Sequence, residues 1–289
     1  MSVPLYDAHN HLHDEWLFLH REKISAQLSA IGLRRAVVNG TAESDWLAVL
    51  SLARAHPTWI TPSLGLHPWH VGNRSANWLA TLTAHLDATP HAALGEIGID
   101  RWMTDRAHPS DTRLIGLRRA PLAEQLDAFS AQLSLATARN LPATLHCLDA
   151  WGALHDTLRT APALPARGFL LHAYGGPAEL IRRFADLGAY FSFNGYFLDD
   201  RRARQLDTFR HIPPDRLLIE TDAPAMPIPQ AWRTHKLPPS PEGTPLNHPG
   251  NIGATYTALA AFLGEPLPSF ATRIEQNFLR LFRPARPPS

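Results

Sequence analysis

The feature that most narrows the fold of this chain is a repeat of element type. Eight short apolar runs of strand length recur along it: Val3 to Tyr6, Arg35 to Asn39, Trp59 to Leu64, Ala92 to Ile97, Ala143 to His146, Phe169 to His172, Ala189 to Phe193 and Arg216 to Thr221. Helical periodicity occupies the stretches between them, as in Ser44 to Ala55, Asn77 to Leu86, Leu122 to Arg139, Ala178 to Leu187 and Arg201 to Phe209. In Leu122 to Arg139 the apolar stripe reads Leu122, Leu126, Phe129, Leu133, Ala136. Ser44 and Ser75 are expected as N-caps, and Gly188 as a C-cap. Strands joined by helix-length crossovers run parallel, so eight such units predict an α/β fold of the (β/α)8 TIM-barrel type. An open doubly wound sheet is the second architecture, but no Gly-x-Gly-x-x-Gly follows the first strand.

A length of 289 residues suggests about two domains by the usual scaling. Barrels of this type run to about 250 residues or more as one domain. Residues 1–289 are therefore read as a single barrel domain enlarged by two segments, 101–119 and 224–249. They follow the fourth and eighth strands and so fall on the C-terminal face, where barrels build active sites. The first holds five Arg against two Asp, and the second takes eight of the 26 prolines.

With 45% hydrophobic and 18% charged residues, the chain has the material for a full core. Its net charge of +1, from 27 basic and 26 acidic residues, argues against wrapping a long duplex and makes any phosphate contact local. The single cysteine, Cys147, excludes an intrachain disulfide framework. Met1 to Tyr6 carries no basic or apolar segment of signal-peptide type, and no apolar run nears the roughly 20 residues that cross a bilayer. A cytoplasmic enzyme without membrane attachment or an obligate protein partner is the expectation.

Sixteen histidines are the unusual entry in the composition. His9 and His11 form a His-x-His pair at the end of the first strand, where residues i and i+2 share a face. Glu96 lies near the end of the fourth strand, His146 ends the fifth, His172 the sixth and Asp222 the eighth. Barrel geometry gathers these ends around one mouth. Buried carboxylates and imidazoles at such density need cations to neutralise them. A nitrogen and oxygen donor set without thiolate suits Zn, Mn or Mg and does not choose among them. The donors suffice for two divalent ions, with His9, His11 and Asp222 on one side, His146 and His172 on the other, and Glu96 bridging. Many barrel hydrolases bridge with a carboxylated lysine, but the only lysines are Lys23 and Lys236, neither at a strand end. Cys147, next to His146, should face the opposite side of its strand as a packed thiol.

These segments resemble the TatD family of metal-dependent deoxyribonucleases within the amidohydrolase-like barrels. The similar pieces are Asp7-Ala8-His9-Asn10-His11-Leu12, Gly65-Leu66-His67-Pro68, Gly95-Glu96-Ile97-Gly98-Ile99-Asp100, Leu141-Pro142-Ala143-Thr144-Leu145-His146-Cys147, Leu171-His172-Ala173-Tyr174-Gly175-Gly176 and Ile219-Glu220-Thr221-Asp222-Ala223-Pro224. They run in the family's order over nearly the whole chain, to Asn277-Phe278-Leu279-Arg280-Leu281-Phe282. The resemblance implies a metal-dependent phosphodiesterase with His9, His11, Glu96, His146, His172 and Asp222 as ligands. It marks Glu96, Asp222 and His67 as catalytic, with Asp222 orienting or deprotonating the attacking water and His67 contacting the substrate phosphate. Glu220, one layer deeper than Asp222, is expected to support a histidine.

The chain departs from the family pattern in three places. Arg101-Trp102-Met103 opens an insertion where the family has aromatic residues and a short loop. Cys147-Leu148-Asp149 lacks the basic residue often found after the fifth-strand histidine, and Leu246-Asn247-His248-Pro249-Gly250-Asn251 loses an Arg and a Glu from a family box. Arg233, Lys236 and Asn247 are the candidate substrate-binding residues, and Trp102 and Trp232 are candidates to stack on a base. The expected activity is hydrolysis of a nucleic-acid strand end or a small phosphoester. A binuclear amidohydrolase or lactonase acting on carbon is the alternative, and a non-catalytic metal-binding scaffold ranks third.

Overall fold

A computed structural model of the chain describes residues 3–282; the proline-rich end, Pro284 to Pro288, lies outside the described residues. Eight parallel strands follow one another around a barrel in the order of the sequence: β1 Leu5–Asn10, β2 Leu33–Asn39, β3 Ile60–Leu64, β4 Ala93–Asp100, β5 Ala143–Leu148, β6 Phe169–Leu171, β7 Ala189–Asn194 and β8 Leu217–Glu220. Every residue of β1, β3, β4, β7 and β8 is buried. One face of each strand fills the barrel and the other meets the surrounding helices. Those helices are α1 Arg21–Ala30, α2 Trp46–Ala55, α3 Trp78–Asp87, α4 Trp102–Asp105, α5 Leu122–Arg139, α6 Trp151–Thr160, α7 Ile181–Asp186, α8 Ala203–Thr208, α9 Ile252–Leu263 and α10 Leu267–Phe282. No helix among the described residues is long and apolar enough to cross a membrane.

Parallel ladders join β1 to β2 through to β7 and β8, with register shifts in the β1–β2 and β4–β5 pairs, and the last seam is closed differently. His9 O accepts from Asp222 N at 3.0 Å, and Ala223 O accepts from His11 N at 2.7 Å. One layer below, the Asp7 carboxylate accepts from Thr221 N at 3.0 Å and Thr221 Oγ1 at 2.6 Å. The seam rules out the open doubly wound sheet, and three of the candidate ligands lie on it.

Several strands run further than hydropathy predicts. β1 carries on through His9, β4 to Asp100 and β5 to Leu148; at the ends of β1 and β4 the polar residues His9, Asn10 and Asp100 are buried with partners, whereas β5 ends on the exposed Leu148. Asp7 accepts four hydrogen bonds, the other two from His9 N and Asn10 Nδ2. Burial nevertheless pushes its carboxyl up to about 7.

α5 has the predicted limits but a different inner face. Phe129, Leu133 and Ala136 are buried as expected, joined by Gln125 and Gln132 rather than by Leu122 and Leu126. The two amides lie seven residues apart, two helical turns. Gln125 pairs with Asp100 N and O at 2.7 and 3.1 Å, and Gln132 with Leu66 N and O at 2.7 and 3.1 Å. They clamp the loops after β4 and β3. The cap at α2 also differs: Asp45, not Ser44, precedes Trp46, and its side chain accepts from Thr41 instead. Asn77 caps α3, with Ser75 Oγ accepting from its N–H at 3.2 Å. Gly188 follows α7 in the left-handed conformation, φ 96°, as expected.

The segment after β4 forms α4 and a 3-10 turn at Thr112–Leu114, packed as a small separate cluster of Met103, Ala107 and Leu114 beneath Trp69, Trp102 and Leu117. The segment after β8 is irregular apart from a 3-10 turn at Gln230–Trp232 and ends in another at Pro249–Asn251. Cys147 is buried in the main core.

Candidate metal centre

The strand ends bring His9, His11, Glu96, His146, His172 and Asp222 together, and His67 with them. Glu96 is the hub. Its Oε2 lies 3.3 Å from His9 Nε2 and 3.4 Å from His11 Nε2, both of which are 3.3 Å from Asp222 Oδ1. Its Oε1 lies 2.9 Å from His172 Nε2, 3.0 Å from His146 Nδ1 and 3.3 Å from His67 Nε2. The His9 and His172 rings stack at 4.0 Å between centroids, linking the two sides. Gly98 makes room for the β5 ligand, since a Cβ there would sit 2.0 Å from His146 O, at a φ of 145°. Asp222 takes a left-handed backbone, φ 52°, which costs a non-glycine residue about 1–2 kcal/mol.

Three of the four candidate ligand rings face a partner at the back. His11 Nδ1 donates to the Asn39 carbonyl at 2.7 Å. His146 Nε2 faces Asp100 Oδ2 at 3.2 Å, and His172 Nδ1 faces Glu220 Oε1 at 3.6 Å, just beyond hydrogen-bond length. Ser192 Oγ and Asn194 Nδ2 hold Glu220 in place. In their neutral forms with the proton at the back, His11 and His146 turn a lone pair inward at carboxylate oxygens, whereas His9 Nδ1 has no hydrogen-bond partner. Acceptor facing acceptor at about 3 Å is repulsive unless a cation lies between them. The donors therefore fit divalent ions of the hard or borderline kind. His67 is reversed: its Nδ1 accepts from Trp69 N at 3.1 Å, so a neutral ring presents Nε2–H to the centre. That is a donor, not a ligand lone pair.

The charges follow from the same contacts. Burial alone would raise the Glu96 carboxyl, but the imidazoles of His172, His67 and His9 hold it well below the usual range. Asp222 is held low against burial by His11 and His9. His11 rises to about 9, burial being outweighed by Asp222 and Glu96, and His146 rises to about 9 beside Asp100 and Glu96. His67 goes the other way: burial pushes it down to about 4, so its ring is neutral at pH 7.

The TatD related DNase family model matches residues 6–283. The chain belongs to the TatD related DNase family. It is 30% identical over 265 residues to the 3'-5' ssDNA/RNA exonuclease TatD of Pantoea vagans, covering 91% of this chain and 93% of that protein. Its fold is similar to the crystal structure of the TatD homologue YJJV from Escherichia coli K12, with TM-score 0.81, 25% identity and coverage of 98% and 99% of the two chains. The TatD family hydrolase from Entamoeba histolytica has the same fold, with TM-score 0.79, 18% identity and coverage of 99% and 100%.

For a TatD-family chain, the substrate side of the mouth departs most from expectation. Asn247 is buried, donating to Thr221 O at 2.8 Å and accepting from Asn251 Nδ2 at 3.3 Å. Its amide is committed to the turn that carries Asp222. Arg233 Nε donates to Ile228 O at 2.8 Å, and Lys236 is exposed. None of the three joins the cluster. Two neighbours of the centre escaped the sequence reading. Asp100, four residues after Glu96 and so on the same face of β4, supports His146; Trp69, two residues after His67, donates Nε1–H to Asp100 Oδ2 at 2.6 Å. Strand periodicity applied beyond the apolar run would have found the first.

Proposed function

We propose that this protein hydrolyses phosphodiester bonds at the 3′ end of a single nucleic-acid strand, using two divalent ions of the Zn, Mn or Mg class. One observation carries this reading: Glu96 divides its two oxygens between two groups of imidazoles, His9 and His11 on one side and His146 and His172 on the other. His9, His11 and Asp222 would hold one ion, His146 and His172 the other, with Glu96 shared between them. Ions bound there supply Lewis-acid polarisation of the phosphoryl oxygens and lower the pKa of water. The nucleic-acid substrate and the 3′ polarity are carried over from the relative of Pantoea vagans. A cytoplasmic setting suits the single reduced thiol.

The side chains around the ions have distinct tasks. Asp222 would accept a proton from the attacking water through Oδ2, with Oδ1 against His9 and His11. The water oxygen bonds to phosphorus as the bond to the leaving sugar oxygen breaks. The His67 Nε2–H donates to a non-bridging phosphate oxygen, a role that its neutral ring fills over the working pH range. Asp100 and Glu220 keep the back nitrogens of His146 and His172 protonated, which preserves the lone pairs on the other side.

The test is a substrate panel for protein loaded in turn with Mg, Mn and Zn, with bound metal measured directly. Single-stranded DNA, RNA and a simple phosphodiester are compared with lactones and amides, using Asp222→Asn as control. Shortening from the 3′ end, lost by about a thousandfold in Asp222→Asn, is expected. Turnover of lactones or amides alone would move the reaction to a carbon centre. Protein that takes up no metal would favour a scaffold.

A further inference from the structure

The centre accounts for a phosphate and leaves open where the base attached to it goes. Beside His67 and His146, on the side of the insertion, two tryptophans and an arginine are layered. The rings of Trp69 and Trp102 stack with centroids 6.1 Å apart and planes at 28°. The Arg113 guanidinium lies over both, 4.6 Å from the Trp102 centroid and 5.9 Å from that of Trp69. Asp111 fixes the plane, accepting from Nε at 2.9 Å and Nη2 at 2.7 Å. The side chain is 59% exposed.

This layer is joined to the centre. Trp69 Nε1–H and His146 Nε2 meet on the same oxygen, Asp100 Oδ2, at 2.6 and 3.2 Å. The Trp69 ring also lies edge-on to His67 at 5.7 Å. The charge of Arg113 is held above its usual range chiefly by Asp111, with smaller contributions from Asp100 and from Tyr196 after β7. Arg113 lies over the two indoles, whereas Arg118 of the same segment pairs with Glu124.

A guanidinium set against two indoles extends their π surface with a cationic group. An unpaired base stacks on such a surface whatever its identity, because every base has a π face. Resting on the nuclease reading above, we infer that Trp69, Trp102 and Arg113 seat the 3′-terminal base of a single strand, with Arg113 Nη1 turned to the backbone phosphates. These are positioning residues, since none touches the reacting atoms.

The test uses paired single strands that differ only in whether the 3′-terminal nucleotide carries a base or is abasic. For wild type, KM for the base-bearing strand is expected to be about tenfold lower than for the abasic one. Trp102→Ala and Arg113→Ala bring that ratio close to one, and Trp102→Phe keeps most of it. A seat that merely packs the insertion would weaken both strands alike and leave the ratio intact, which would overturn the proposal. So would a wild type that does not discriminate, even while it cuts. Fluorescence anisotropy of the same strands in EDTA gives a readout without turnover and should show the same ranking. If no strand is cut with any metal yet anisotropy still ranks base above abasic, the nuclease reading fails and the seat stands.

Discussion

The barrel mouth and the insertion above it treat charge in opposite ways. At the mouth, Glu96 and Asp222 are buried among imidazoles, and their charges converge on shared points. In the insertion Arg101 pairs with Asp105 at 2.6 Å and Arg113 with Asp111 at 2.7 Å, both with exposed guanidiniums. Arg118 pairs with Glu124 at 2.6 Å. The excess of five Arg over two Asp that suggests a cationic rim is thus largely neutralised by local pairs. Such exposed pairs contribute little to stability and are screened by salt. The difference separates tasks: the mouth gathers donors of both signs at one point, and the insertion supplies a surface.

The largest expected effect comes from breaking the mouth. Glu96→Ala removes the carboxylate that contacts both groups of histidines, and kcat on a phosphodiester should fall by about a thousandfold or more. Metal content measured on the same preparation should fall with it. Full metal occupancy with an undiminished rate would refute the hub role of Glu96.

The metal itself should compete with protons. His11 and His146, raised to about 9, are charged in the metal-free protein at pH 7 and must release protons when ions bind. Metal affinity should therefore rise with pH between about 6.5 and 9, by about tenfold per unit or more. Titration calorimetry in buffers of different ionisation enthalpy would register the released protons. The sign for stability is the reverse. These raised pKa values stabilise the metal-free fold fully below about 6.5, and that contribution is lost as pH climbs through 9. A metal-free protein that gains stability over this window would contradict the assignment.

Asp100 stands where the two regions touch, accepting from Trp69 on one side and facing His146 on the other. Asp100→Asn keeps the shape and alters the hydrogen bonding to His146. Outer partners of this kind change metal affinity or activity by about 10- to 100-fold. The same substitution in a region that served packing alone would leave both unchanged, so metal Kd and kcat together locate the boundary.

What could be read from the sequence follows the same division. The convergence of His9, His11, Glu96, His146, His172 and Asp222 was legible because a parallel barrel places strand ends at one mouth. Their neighbours were less so. Gln125 and Gln132 occupy the inner face of α5 because they satisfy loop backbones, and a hydropathy stripe passes over them. Asn247 looks like a substrate contact in its motif, yet the turn at Thr221 uses its amide. The layer of Trp69, Trp102 and Arg113 joins two loops that lie over thirty residues apart in sequence, and no periodicity relates them.

The smallest effect is expected in the segment after β8. Arg233 is tied to the Ile228 carbonyl and Lys236 is exposed, so neither has a fixed phosphate-binding pose. A single exposed cation acts on a polyanion through a screened field, with a Debye length of about 10 Å at 0.1 M salt. Lys236→Ala should raise KM for a single strand by no more than about threefold at low salt, and the effect should vanish as salt rises. Arg233→Ala loses a loop hydrogen bond as well, so its loss should persist at high salt and appear in Tm. If Lys236→Ala instead cost tenfold at any salt, the Pro-rich segment would close over the strand, and the substrate surface would have to be extended from the insertion across the mouth.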